Sequence, residues 1–264
     1  MDINTTEFNG LIKKIKTKRV ISLVAFVACL IGIWFFIEEV VLVVLFVIGA
    51  FASLLAFLIV GTPTYNALYN DCDARKHLVL LNGIEKGKGT YPLLVTAYFY
   101  IGDFDTSIHY AKRVYQNKSV NSKLTALYWI ALNQFFLGKT EEFKQTAFDF
   151  QVMTKNAKLN EKHRKEILEC HTVINLLLAI TNEDSEKIKE FASRLDNIKD
   201  DNKIASAFVN YLKGIAAYAL GDKMESTHRF MSVCDIASKT VLGTLAKRYL
   251  DKLNGESDTG GENL

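Results

Sequence analysis

The sequence predicts an all-α protein, a transmembrane helical hairpin followed by a solenoid of about four helix pairs. Three observations carry this: two charge-free apolar runs near the N-terminus, apolar residues spaced three and four apart through most of the rest, and turns that recur at near-regular intervals. Only two prolines occur, Pro63 and Pro92, and beyond Thr62 the chain lacks the short alternating runs and turn clusters of a sheet.

Residues 20–37 and 40–60 carry no charge and no proline, and Glu38 and Glu39 separate them. At ~1.5 Å per residue they make helices of about 27 and 32 Å, close to the ~30 Å hydrocarbon core of a bilayer. One helix over both would be an apolar rod of about 60 Å, so the chain is expected to reverse at the glutamates, which then reach the outer surface and stop the spans. A cleaved signal peptide fits poorly, because its apolar region is shorter and does not lead straight into a second one; the Ala50-Phe51-Ala52 triplet lies inside the second run. With Ser22 and Ser53 as the polar residues of the two runs, transport by this chain alone is not expected. Ala25 and Cys29, like Gly49 and Ser53, are four apart, a spacing that permits close packing of the hairpin or self-association.

Lys13, Lys14, Lys16, Lys18 and Arg19 precede the first run, and the turn between the runs is acidic. The positive-inside rule therefore places both termini in the cytoplasm, with Arg75 and Lys76 on the same side. Phe8, Leu11, Ile12 and Ile15 recur at helical spacing among the lysines, which predicts a short helix lying on the inner leaflet of the cell membrane and drawn to anionic lipid.

The chain is 264 residues long and 49% hydrophobic, a figure raised by the two runs, and residues 62–253 are enough for one helical domain with its own core. The first sixty residues hold five of the 32 basic and four of the 29 acidic side chains, leaving 27 against 25, so no basic surface for nucleic acid is expected. Cys29, Cys72, Cys170 and Cys234 form no CxxC pair, which fits a reducing compartment.

Asp73 suits the N-cap of a helix running through His77, Leu78 and Leu81 to a glycine stop at Gly83, and Pro92 suits the first turn of the next, to Ile101. The turn at Gly102 to Asp105 leads to Ile108, Ala111, Val114 and Tyr115, and predicts two antiparallel helices. The pattern returns around Leu137-Gly138-Lys139, with Leu127, Ile130, Ala131 and Phe135 before it and Phe143, Ala147 and Phe150 after. A third pair turns at Thr181 to Asp184, between Ile174, Leu177 and Leu178 and the later Ile188, Phe191 and Leu195; a fourth turns at Leu220-Gly221-Asp222. These turns lie 36, about 44 and about 39 residues apart, and pairs too small to stand alone must stack. Residues 240–253 are expected to form a capping helix, and the small, polar, acidic tail 254–264 to be disordered.

Tyr91, Leu94, Tyr98, Gly102, Asp103, Phe104, Ile108 and Tyr110 resemble the tetratricopeptide repeat (TPR), whose turn commonly reads Gly-Asp-Tyr-x-x-Ala-Ile. Gly214, Gly221, Asp222 and Phe230 repeat the match in the fourth pair. Ser107 and Ser226 stand where that repeat has a small alanine, Phe143 replaces it in the second pair, and the third pair departs furthest. The segment Tyr69 to Asp73 is similar to an opening found in repeat proteins of Gram-positive bacteria, with Ala74 in place of proline. The resemblance covers roughly residues 66–250. It implies a concave groove lined by the first helix of each pair, at Phe99, Tyr100, Tyr128, Leu132, Phe135, Phe136, Tyr211, Ile215 and Tyr218, an aromatic surface suited to a peptide or a partner helix. The lysine and asparagine with which some members clamp a chaperone's terminal carboxylate are replaced by Pro92 and Thr96, so chaperone-tail binding is not expected.

No motif for chemistry emerges. The glycine-rich stretch Gly83 to Thr90 lacks the spacing of a phosphate loop, the Ser or Thr after its lysine, and a preceding strand. Asp71 and Asp73 offer two carboxylates where hard cations take six or more oxygens. Cys170 and His171 are adjacent on a helix and point about 100° apart, His163 lies two turns from His171, and His77, His109 and His228 are isolated. The expectation is therefore no enzyme, no cofactor and no metal. The chain reads as a membrane-anchored adaptor that presents the repeat groove to a protein or peptide at the cytoplasmic face, with an accessory subunit of a membrane complex and a peptide-sensing regulator as the alternatives.

Overall fold

The computed structural model describes residues 8–59, 62–84, 87–198 and 201–255, and every regular element among them is helical. The chain divides into two units, residues 1–67 with 76–86 and residues 68–75 with 87–264. The expected disordered tail lies outside the described residues from 256 onward.

The first unit is built on α1 (Asn9–Phe35) and α2 (Val40–Ile59), joined by the turn at residues 36–39 and packed along one another. The end of α1 and both ends of α2 fall within two residues of the apolar runs, while α1 begins at Asn9, well ahead of the first run. Small residues set the contact. A β-carbon at Gly32 would collide with the Phe46 ring, which also stacks on Phe36 at 5.9 Å, and one at Gly49 would lie 3.0 Å from Cys29 Sγ. Arg19 lies over the Phe57 ring at 5.7 Å. Two short helices follow, α3 (Thr62–Tyr69), with Pro63 in its first turn where its missing N–H costs nothing, and α4 (Ala74–Ile84).

Two expectations for this region are corrected. The amphipathic segment before the first apolar run is no separate interfacial helix but the first part of α1, because nothing between Asn9 and Val20 breaks the helical hydrogen bonding. Ile12 and Ile15 are buried against Ala67, Val79 and Leu80 instead of facing lipid, while Lys13, Lys14, Lys16 and Lys18 stay exposed. Gly83 does not close α4, which continues to Ile84. Its missing side chain makes room for Ile12, whose Cδ1 would lie 2.6 Å from a β-carbon at that position. Nearby, the buried ring of His77 donates its Nδ1–H to the Thr64 carbonyl at 2.6 Å.

The second unit consists of helix pairs: α5 (Tyr91–Ile101) with α6 (Phe104–Tyr115), α7 (Val120–Phe136) with α8 (Thr140–Asn156), α9 (Glu161–Thr181) with α10 (Ser185–Arg194), and α11 (Lys203–Ala219) with α12 (Lys223–Ala237), followed by α13 (Val241–Leu253). Each pair reverses through one geometry. Gly102, Gly138, Glu183 and Gly221 have φ of 87°, 68°, 54° and 77°. Each donates its N–H to the carbonyl three residues back, and the next residue donates to the carbonyl five back, at 2.9 to 3.1 Å in all four turns. This is the Schellman closure, which satisfies carbonyls that the helix end leaves open. Asp103, Asp184 and Asp222 then cap the second helices, accepting from Thr106, Lys187 and Glu225 N–H at 3.1, 3.2 and 3.0 Å. The third pair, the least regular in sequence, makes the same turn with a glutamate in the left-handed region.

Small residues hold the first and last pairs together. Ser107 and Ser226, both fully buried, donate their hydroxyls to the carbonyls of Val95 and Gly214, in each case twelve residues back, at 2.9 and 3.2 Å. In an open stack each pair touches only its neighbours in sequence. Here α5 also contacts α13, with Gly102 against Val241, and the Phe99 ring lies 6.2 Å from Phe208 of α11.

Glu183→Gly should stabilise the helical unit by about 0.5–1 kcal/mol, read as a higher unfolding midpoint, because glycine removes the side-chain clash of a left-handed residue. Burial pushes the His77 pKa below its usual value, outweighing the opposing hydrogen bond to Thr64. The folded protein thus prefers the neutral ring, and His77's contribution is complete above the unfolded pKa near 6.5 and is lost as the pH falls through the lower folded value. Hydrogen exchange in α3 and α4, corrected for intrinsic rate, should therefore lose protection as the pH falls below about 6.5.

Candidate functional site

Two surfaces of the chain ask for a partner: the faces of α1 and α2, and a cavity among α7, α9 and α11. In the most apolar stretch of each N-terminal helix only 6% of the residues are buried. The helix of a soluble core is buried on most faces. Here Trp34, Phe35, Val40, Val41 and Phe51 are all exposed, so these are two helices long and apolar enough to cross a membrane whose side chains the described protein does not cover.

The residues expected to line an open groove lie elsewhere. Phe99, Tyr100, Tyr128, Leu132, Phe136, Tyr211 and Ile215 are buried and belong to one core cluster, with Phe135 half-buried against it. Phe99 is 0% exposed. Its ring stands 5.1 Å from Trp129, 5.4 Å from Phe136 and 5.7 Å from Phe104, and Phe136 stands 5.7 Å from Tyr211. Tyr218 is the exception, 41% exposed with its ring edge-on to Tyr249 of α13 at 4.9 Å. The structure thus brings most of the expected groove residues together as the interior of the unit. Large rings that meet each other remove far more apolar area from water than rings lining a wet groove. Trp129, Phe104, Phe208 and Tyr249 complete this interior and are absent from the expected set. Tyr249 lies beyond the repeats on the closing helix, where no repeat register points to it.

One polar knot is buried with the rings. Asn133 Nδ2 donates to Ser107 Oγ at 3.0 Å and to the Trp129 carbonyl at 2.6 Å, tying α7 to the first pair.

The cavity among α7, α9 and α11 has a volume of about 230 Å³. Tyr128, Cys170, Phe208 and Leu212 line it together with Glu166 and Glu169. Burial pushes the Cys170 thiol up to about 12, with the two glutamates adding to the rise, and lifts the Tyr128 hydroxyl well above its usual value. Such a thiol stays protonated and is a poor nucleophile at neutral pH. His171 faces a different cavity, of about 210 Å³, beside Arg164, Ile167 and Leu168. There it accepts from Asn175, which accepts in turn from Gln151, each at 2.7 Å, and burial followed by the charge of Arg194 holds its pKa down. Neighbours on α9, Cys170 and His171 therefore open onto separate spaces. Among the described residues no three His, Cys, Asp or Glu side chains gather closely enough to hold a metal ion. Asp73 directly precedes α4 and pairs with Lys239 at 3.6 Å. The end of the glycine-rich stretch is a single helical turn, Lys88–Thr90, in which Thr90 Oγ1 donates to the Gly87 carbonyl at 2.5 Å.

Comparison with protein-family models, with curated proteins and with solved structures finds no match to this chain.

If the aromatic residues are interior, truncating them should unfold the unit rather than spare it. Phe99→Ala should cost about 3–5 kcal/mol in denaturant unfolding followed by tryptophan emission. Tyr218→Ala, which loses little beyond one ring pair, should cost about 1 kcal/mol.

Proposed function

We propose that this chain is a membrane-anchored adaptor, with α1 and α2 as a two-span anchor and the helical unit as a TPR-like module that holds a protein partner at the cytoplasmic face. The observation that carries the reading is the near-complete exposure of two adjacent apolar helices joined to a separately packed helical unit. In water such a surface would drive aggregation; in a bilayer it is solvated. The lysines on the exposed side of α1 and the acidic turn at Glu38 and Glu39 favour cytoplasmic termini. The TPR-like reading is supported by four turns with the same hydrogen bonds and by the matching hydroxyl-to-carbonyl contacts of Ser107 and Ser226.

Anchoring restricts the search for membrane-associated partners to two dimensions and raises their effective concentration, so a modest interface suffices. The interior position of the aromatic residues moves that interface to the outside of the unit. Exposed apolar side chains there include Phe148 and Val152 on α8, Leu168 on α9, and Met224 and Met231 on α12.

The full chain should remain with membranes after carbonate washing, and its C-terminal part should resist protease added outside intact cells. After detergent extraction it should co-purify with the same proteins whether it carries its own hairpin or an unrelated two-span anchor. Partners lost on exchanging the hairpin would instead make the chain an intramembrane subunit of a larger assembly. A chain found in the soluble fraction without detergent would overturn both.

A further inference from the structure

The seat of α1 on α3 and α4 separates two kinds of side chain at its basic end. Ile12 and Ile15 are buried with Ala67, Val79 and Leu80, and Phe8 and Leu11 pack against the same cluster. Every large apolar side chain from Phe8 to Ile15 is thereby engaged by protein. Lys13, Lys14, Lys16 and Lys18 lie around the rest of the helix, all four exposed and with no carboxylate paired to them among the described residues. No acidic residue occurs between Phe8 and Ile37, so nothing along this stretch of sequence offsets their charge.

The helix also fixes their height. It runs without a break from Asn9 to Phe35, and the charge-free run begins at Val20. At ~1.5 Å per residue the backbone of Lys18 lies about 3 Å before that boundary and that of Lys13 about 10 Å before it. The headgroup layer on each side of the hydrocarbon is about 5–8 Å deep. Lys16 and Lys18 therefore start inside it and lean toward its outer surface, because helical side chains tilt toward the N-terminus. Lys13 and Lys14 stand at its outer edge, where the field of an anionic surface, screened over about 8 Å at physiological salt, still reaches them.

A helix lying on a bilayer holds to it by apolar insertion and by charge together. Here the apolar half is taken up by α3 and α4, and charge alone is left to meet the lipid. We propose that Lys13, Lys14, Lys16 and Lys18 bind the phosphate groups of anionic phospholipid in the leaflet around the base of α1. The inference rests on α1 and α2 being membrane spans and adds the lipid class that this reading leaves open. Lys14 and Lys18 are four apart and Lys13 and Lys16 three apart, so they form two neighbouring pairs, each able to straddle one phosphate. At this depth a soluble acidic peptide or a nucleic acid would have to displace headgroups, whereas an anionic lipid already stands there. A zwitterionic lipid carries its own cation beside the phosphate and gains less. One lysine beside an anionic surface contributes about a fivefold preference.

The test reconstitutes the full chain in phosphatidylcholine vesicles that contain a minority of phosphatidylglycerol. Mild detergent then extracts the chain with its bound lipid, and mass spectrometry compares the phosphatidylglycerol fraction in the complex with that of the vesicle. The complex should be enriched about fivefold or more, and the enrichment should collapse in high salt. Lys13→Gln, Lys14→Gln, Lys16→Gln and Lys18→Gln together should abolish it, while arginine at the same four positions should keep it because the charge is retained. Unchanged thermal unfolding of the glutamine variant shows that its fold survives. Equal lipid fractions in complex and vesicle, enrichment that persists in the glutamine variant, or enrichment indifferent to salt would each overturn the proposal. Displacement of the lipid by an equal concentration of free glycerol phosphate would do so as well, since it would identify a site for soluble phosphate. Flotation with vesicles of pure phosphatidylcholine tells the two readings apart. A chain that floats but shows no enrichment keeps its anchor and loses only this ligand, and a chain that floats with neither vesicle loses both.

Discussion

Every helix pair in the second unit depends on one backbone constraint: a single residue in the left-handed region that lets the chain reverse while the open carbonyls of the preceding helix find donors. Gly102, Gly138, Glu183 and Gly221 meet it with the same two hydrogen bonds. The reversal fixes where the second helix starts. Position then decides which side chains meet, so that Ser107 reaches Val95 and Ser226 reaches Gly214 across the same interval. The aromatic interior is a consequence, since antiparallel pairs set at nearly constant spacing bring Phe99, Phe136 and Tyr211 to one place.

That interior changes what the unit offers a partner. Contact between α5 and α13 brings the first pair against the closing helix, and the rings that would line an open groove pack on each other. What remains outside is a set of separate apolar side chains and small cavities rather than a continuous aromatic channel. A partner of such a surface would be held by one or two anchored side chains rather than along the length of a bound helix.

Much of this architecture was legible in the sequence, for physical reasons that differ by element. Charge is costly in hydrocarbon, so the stretches free of it, bounded by Glu38 and Glu39, located α2 and the end of α1 to within two residues, but not the start of α1 at Asn9. Glycine tolerates positive φ, so Gly102, Gly138 and Gly221 announced their turns. Glu183 gave no such signal, because a glutamate in that conformation is held by its surroundings rather than by its own preference. The spacing of Ile12 and Ile15 marked an apolar face correctly but could not name its cover, since lipid and the Val79, Leu80 and Gly83 face of α4 select the same pattern. The same ambiguity hides the interior position of Phe99 and Tyr211. Residues three and four apart show which side of a helix is apolar, and only distant contacts such as α5 with α13 decide whether that side is core or groove. The cavity bounded by Tyr128, Glu166 and Phe208 draws on three helices far apart in sequence, and no local spacing points to it.

The continuity of α1 has a mechanical consequence. At ~1.5 Å per residue its 27 residues extend about 40 Å, so the helix is longer than the hydrocarbon layer, and its basic end, with Ile12 and Ile15 seated on α4, is clasped by protein. A free helix adapts to a thinner or thicker bilayer by leaning over or rotating about its axis. This one cannot do so without pulling Ile12 away from Gly83. Placed in a bilayer, α1 would therefore keep the tilt that its seat on α4 sets.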